Sequence, residues 1–272
     1  MNIIQKSLNN IERFLALAGI SARSNFAYFG EVFSRQLFLA AILYIFLRLW
    51  KLTYSQCGVE RMADLSLPQM LWYLAITEAI VLSSSPVNSI VDEDVRTGSL
   101  AVQLTRPMSY PMYKLALYMG ERCTRLAANL IMGALICLIL VGEIPITFDG
   151  VIYLILALPL SLVLDFLGNF LVGLGAFWLE STAGIMIIYS KLTLLLGGVL
   201  IPLDLFPAPY ANIIKALPFA GMIYGPARQF VHPVQNELLS ALTLQSIWTI
   251  VLSIIVWQVY GLALKRIAAN GG

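Results

Sequence analysis

Apolar runs long enough to cross a bilayer recur along this chain, and nothing else in it constrains the fold as strongly. A hydrocarbon core about 30 Å thick takes about 20 helical residues. Stretches of that order cover residues 32–50, 68–91, 126–141, 151–179, 185–203 and 241–264. Of the 272 residues, 59% are hydrophobic and 12% are charged, whereas a soluble domain carries roughly 25% charged residues. So little polar surface cannot clothe a globule in water, which makes lipid the solvent. In lipid each backbone N–H and C=O must be satisfied internally, and helices do this segment by segment. The chain therefore reads as an all-α integral membrane protein of six transmembrane helices, a single domain over residues 1–272. Its net charge of +2 gives no reason to expect nucleic acid. Cys57, Cys123 and Cys137 form neither a CxxC nor a Cys/His pattern, so no disulfide framework is expected. The first fourteen residues lack the order of a cleavable signal, and the first span is expected to act as its own insertion signal.

Residues 4–30 carry Ile4, Leu8, Ile11, Leu15 and Ala18 at steps of three and four, with Gln5, Lys6, Asn9, Glu12 and Arg13 pointing elsewhere. That period predicts an amphipathic helix lying in the membrane interface. Trp50, Lys51 and Tyr54 make an interfacial belt after the first span, followed by an aqueous loop over 55–66. The second span contains Glu78 and the run Ser83-Ser84-Ser85-Pro86, where the proline kinks the helix and the serines satisfy freed backbone groups. Residues 110–125 are semi-polar, and Glu121 and Arg125 stand one turn apart, ready to pair. The fourth span is long enough to tilt or bend near Pro159, and its Gly168, Gly173, Gly175 and Ala176 let neighbouring helices approach closely. Six of the twelve prolines fall between 202 and 233, in a stretch that stays apolar. Proline density forbids one long helix and apolarity argues against a solvated loop, which predicts short re-entrant helices before the last span.

Six spans put both termini on one side. With the N-terminus inside, twelve of the seventeen Lys and Arg fall on or near the inner side and five (Arg48, Lys51, Arg61, Lys215 and Arg228) on the outer. The positive-inside rule then places residues 92–107 in the cytoplasm.

Catalytic chemistry is hard to find. The only histidine is His232, no GxSxG or HExxH occurs, and none of the six lysines follows a glycine, which excludes a nucleotide-binding P-loop in this chain. Glu78, Asp165 and Lys191 are ionisable groups inside spans, each costing roughly 2.5–3.5 kcal/mol on insertion scales. Two uses suit them: pairing of Glu78 or Asp165 with Lys191 or a serine inside the bundle, which holds helices together, or a polar path for a substrate or proton.

The longest polar island is 92–107, DEDVRTGSLAVQLTRP. Asp92, Glu93 and Asp94 suit the N-terminus of a short helix, Gly98 breaks it, and Leu100 and Leu104 stand one turn apart on a second piece. Arg106-Pro107 ends the island. Sixteen residues with a leucine face exceed what a simple turn needs, and read as a docking surface. The pattern Asp94-Val95-Arg96, Gly98, Leu100, Leu104, Arg106-Pro107 resembles the cytoplasmic motif of ABC-2 type transporter permeases, the six-span export branch found beside ATP-binding subunits in bacteria. Gly197-Gly198, Ile201-Pro202-Leu203, Phe206-Pro207, Leu217-Pro218-Phe219 and Tyr224 with Pro226 are similar to a second motif of that family.

The resemblance implies a permease subunit in the bacterial plasma membrane, both termini cytoplasmic. It would work with a second permease, identical or related, and two copies of a P-loop ATP-binding subunit, which would hold the ATP and Mg; this chain would bind no cofactor. Residues 92–107 would be the coupling segment, with Asp92, Glu93, Asp94, Arg96, Gly98, Leu100, Leu104 and Arg106 as its contacts. Residues 202–233 would cap the path outside, and Glu78, Asp165, Lys191, Gly197, Gly198, Phe219 and Tyr224 would line it. Greasy spans favour an amphiphilic or lipid-like cargo. Two rivals remain: a proton-driven secondary transporter using Glu78 and Asp165, and a membrane scaffold that transports nothing.

Overall fold

The computed structural model describes residues 3–25, 29–145 and 147–270. Among these the only β-pairing is an isolated bridge between Met62 and Leu65. The helices are α1 (Ile3–Asn25), α2 (Phe29–Cys57), α3 (Leu67–Leu82), α4 (Val87–Arg96), α5 (Ser99–Gln103), α6 (Tyr110–Val141), α7 (Phe148–Leu174), α8 (Ala183–Leu196), α9 (Ala208–Lys215), α10 (Pro218–Met222), α11 (Tyr224–Val231) and α12 (Gln235–Asn270). Five segments are long and apolar enough to cross a membrane: Ser34–Cys57, Leu67–Arg96, Tyr110–Val141, Phe148–Phe177 and Glu237–Arg266. The expected fifth span is the exception. α8 has 14 residues, about 21 Å at 1.5 Å per residue.

Side-chain bonds sort the loops onto two ends of the bundle. At one end Gln69 Nε2 donates to the Val231 carbonyl at 3.0 Å and Trp72 Nε1 to the Glu143 carbonyl at 3.0 Å. At the other, Thr182 donates to Asp92 at 2.5 Å and Arg13 to the Pro107 carbonyl at 3.5 Å. This alternation is that of six crossings. α8 closes its crossing because the chain after it turns inward: Gly198, at φ +69°, ends the helix, and its carbonyl receives the Tyr73 hydroxyl at 2.5 Å. Tyr73 lies six residues into α3, so the outer segment dips about 9 Å into the bundle and fills the depth that α8 leaves.

Local chemistry explains the helix boundaries. Ser66 and Gln69 form a reciprocal capping box, with Ser66 N–H to Gln69 Oε1 at 3.0 Å, and Pro68 sits in the first turn of α3. Pro86 breaks the second span outright where a kink was expected: α3 stops at Leu82 and α4 starts at Val87. α6 runs through both the semi-polar stretch and the third apolar run as one helix. Its 32 residues reach about 48 Å, well beyond a ~30 Å core. Pro159 is accommodated within α7. The expected small surfaces are used, since a Cβ on Gly168 would overlap Tyr189 and one on Gly173 would press on Val91.

The N-terminal region differs from expectation in detail. α1 covers Ile3–Asn25, and 26–28, which the reading of 4–30 included, lie outside the described residues. The helix lies along α6, where Ser21 Oγ donates to the Leu117 carbonyl at 2.7 Å and Gly120 leaves no room for a Cβ beside the Ala18 backbone. Ile11 and Leu15 stay exposed, as an interfacial helix requires; the side chains of Ile4 and Leu8 lie outside the description. Trp50 and Tyr54 form no belt. They lie within α2, stacked edge-on at 6.3 Å and buried, with the Tyr54 hydroxyl donating to the Leu65 carbonyl at 2.8 Å.

Candidate functional site

The polar island folds as the end of α4 plus α5. Asp92, Glu93 and Asp94 therefore sit towards the C-terminus of a helix, not at its start, and the expected help from the helix dipole is reversed. Side-chain partners compensate. Arg96 donates twice to Asp92 (2.8 and 3.0 Å) and once to the Leu179 carbonyl at 3.4 Å, while Thr182 donates to Asp92. Asp94 accepts from Ser99 at 2.8 Å and from the Tyr110 hydroxyl at 2.7 Å, and Lys114 Nζ stands at 2.5 Å. Gly98, at φ +73°, makes the bend that only a residue without a side chain takes easily. The island is thus bolted on one side to the turn before α8 and on the other to the start of α6.

The leucine face splits. Leu100 is 2% exposed and belongs to the core, so it cannot be an outward contact; Leu104 is 37% and Val102 69% exposed. Leucines one turn apart on α5 diverge because α5 is only five residues long and its chain unwinds after Gln103. Arg106 stacks its guanidinium over the Tyr113 ring at 4.2 Å. The outward surface comprises Glu93, Arg96, Val102, Leu104 and Arg106.

Asp165 does not meet Lys191 or Glu78. Its partner is Arg122 of α6, 2% exposed on its side chain, whose Nη1 contacts Asp165 Oδ2 and the Tyr118 hydroxyl. Tyr118 in turn donates to Asp165 at 2.7 Å. The rest of the guanidinium is spent on the broken end of α3, with Nη2 to the Ile80 carbonyl at 3.2 Å and Nε to Ser83 Oγ at 3.3 Å. One turn of α6 thus holds the end of α3 and the link before Pro86, because Ser85 also donates to Glu121 at 2.7 Å, and Glu121 pairs with Arg125 at 2.5 Å as expected. Arg122 was not expected as the partner of Asp165 because it stood in the semi-polar stretch before the third span. The recoverable signal was Tyr118 and Arg122 one turn apart, two polar groups that one acid deep in α7 can satisfy together.

Beside this cluster lies a cavity of about 220 Å³ among α3, α6, α7 and α8. Arg122, Asp165, Asn169, Tyr189, Ser190 and Lys191 give it polarity, and Ile80, Val81, Leu194 and Ile223 give it apolar walls. Lys191 has no ion pair or hydrogen bond among the described residues, and the Tyr189 hydroxyl, lodged against Gly168, has no hydrogen-bond partner. Glu78 stands apart from the cavity, 4% exposed and likewise without a partner among the described residues.

The outer segment is held by a second cluster that sequence reasoning missed. Asp204 accepts from Lys215 (2.5 Å), the Tyr224 hydroxyl (2.8 Å) and Arg228 (2.9 Å). Arg228 also donates to the Ala63 and His232 carbonyls, each at 3.3 Å. Burial pushes the Asp204 carboxyl up, but the bonds from Lys215 and Tyr224 and the charges of Arg228 and Lys215 outweigh it and hold the group below its ordinary value. Of the residues expected here, Tyr224 joins this cluster, Phe219 packs on Tyr189 at 5.8 Å between ring centres, and Gly197 and Gly198 end α8, with Ile223 close against Gly197. Among the described residues no group of three or more His, Cys, Asp or Glu gathers as a metal site would need.

A family model described as ABC-2 family transporter protein matches residues 38–271, which takes in the island, the cavity and the outer segment. Among curated proteins nothing matches the chain.

Proposed function

With the match covering most of its length, this chain belongs to the ABC-2 transporter family, and we propose that it is the permease subunit of an ATP-driven exporter. The observation that carries the reading is the mechanical one. The island is tied to α6 through Asp94 and to the turn before α8 through Asp92 and Arg96, so force applied to it reaches two sides of the cavity. A separate P-loop ATPase, in two copies and holding ATP and Mg, presses on Glu93, Arg96, Val102, Leu104 and Arg106 from the cytoplasm. A second permease, identical or related, completes the path. The excess of Lys and Arg at the island end supports a cytoplasmic placement of that end and of both termini, in a bacterial plasma membrane. The exposed face of α8, where Ile185, Ile187, Ile188, Leu192 and Leu195 flank Ser190 and Lys191, supports an amphiphilic cargo.

Co-purification tests this. Val102→Asp with Leu104→Asp should abolish capture of a P-loop ATPase from the source cell while leaving the permease folded, as both side chains are exposed. Leu100→Asp is the control, expected to unfold the segment by burying a charge. A chain that captures no ATPase in its native form sinks the reading.

A further inference from the structure

We propose that the cavity among α3, α6, α7 and α8 holds the anionic head group of an amphiphile, with Lys191 as its counter-charge; this rests on the permease reading and narrows its cargo class. The charge balance of the lining is the first argument. Arg122 and Asp165 neutralise each other at contact distance. No other acid lines the space, so Lys191 leaves it with one uncompensated positive charge. Lys191 is exposed on α8, eight residues from its start and about 12 Å along the helix, a depth at which a lone ammonium facing hydrocarbon is costly unless an anion joins it.

The second argument is hydrogen bonding. The Tyr189 hydroxyl lacks a partner among the described residues, and Tyr189 and Ser190 both line the same cavity. An anion at the cavity accepts from the Lys191 ammonium, and from a lining hydroxyl where its oxygens reach one, which a cation or an alkyl chain does not do. Size is the third. A cavity of about 220 Å³ is smaller than the roughly 300 Å³ that a drug-sized ligand needs, and it suits a phosphate or carboxylate head. The attached chain has its place outside, along Ile187, Ile188 and Leu195, which α8 leaves exposed.

The test uses the purified full-length chain in neutral maltoside micelles, read by thermal shift. Dodecyl phosphate at rising mole fraction should raise Tm saturably, and dodecyltrimethylammonium should not. Lys191→Gln should weaken the dodecyl phosphate response on the order of tenfold, Lys191→Arg should restore it, and Tyr189→Phe should weaken it by less. Equal responses to the two amphiphiles overturn the proposal, as does equal stabilisation by inorganic phosphate, which would make the ligand a free anion. A change of oligomeric state in Lys191→Gln by light scattering, with the dodecyl phosphate response intact, also overturns it and assigns Lys191 to a contact between copies. ATPase capture without any dodecyl phosphate response sinks this inference alone; the response without ATPase capture sinks the exporter reading alone.

Discussion

The ion clusters at Arg122–Asp165 and at Asp204 sit at different depths and are built on different plans. Arg122–Asp165 joins helices 43 residues apart in sequence and is almost sealed, and its spare hydrogen-bond capacity goes to the broken end of α3. Asp204 gathers its cations from within 24 residues, in one proline-rich stretch, and Lys215 is 35% exposed on its side chain. The inner cluster therefore sets how three helices stand relative to one another. The outer one shapes a local lid. A sealed pair tolerates no half-measures, because a lone charge left in hydrocarbon has no water to turn to, whereas the lid carboxylate keeps one cation when the other is lost.

That contrast can be broken experimentally. The largest effect should come from Asp165→Asn or Arg122→Gln, each expected to cost about 3–5 kcal/mol in unfolding free energy by orphaning a buried charge or its hydrogen-bond partners. The double variant Arg122→Met with Asp165→Leu should recover much of that, and a double-mutant cycle would measure the coupling. Equal losses in single and double variants would show that the pair is not a unit. Next comes Arg228→Ala, about 1–3 kcal/mol, felt as faster hydrogen exchange over residues 204–231 with the bundle unchanged. Lys215→Gln should cost at most about 1 kcal/mol, since its ammonium is a third exposed.

Acid should separate the clusters as well. The Asp204 carboxyl is lowered on folding, so its contribution is complete above its unfolded value, about pH 4, and is lost as pH falls through the lower folded value. Exchange protection of the lid should fall in that window and not at neutral pH. Asp204→Asn should remove this acid step and leave a lid already loosened at pH 7.

Particular residues show how far the sequence could be read. Gly98 broke its helix where its lack of a side chain said it would, and Glu121 and Arg125 paired at one turn, because such effects act within a few residues, whereas Gly197-Gly198 ended α8 inside a stretch read as one span to 203. Pro86 went further than expected, from kink to break, since Arg122 and Arg35 stood ready to bond the carbonyls of Ile80 and Leu82 at the end of α3. Leu100 and Leu104 shared a face by spacing alone, but packing drew one inward and left the other out. Trp50 and Tyr54 had the composition of a membrane belt and the position of core residues.

Hydrophobicity and its period are properties of the chain itself, and they determined the solvent, the helical class, the crossings and the island between the second and third of them. The partner of Asp165, the solitude of Lys191 and Glu78 among the described residues, and the three bonds to Asp204 were decided only when the helices packed. An ion pair depends on distance between side chains remote in sequence, and no spacing rule reports which helix will stand beside which.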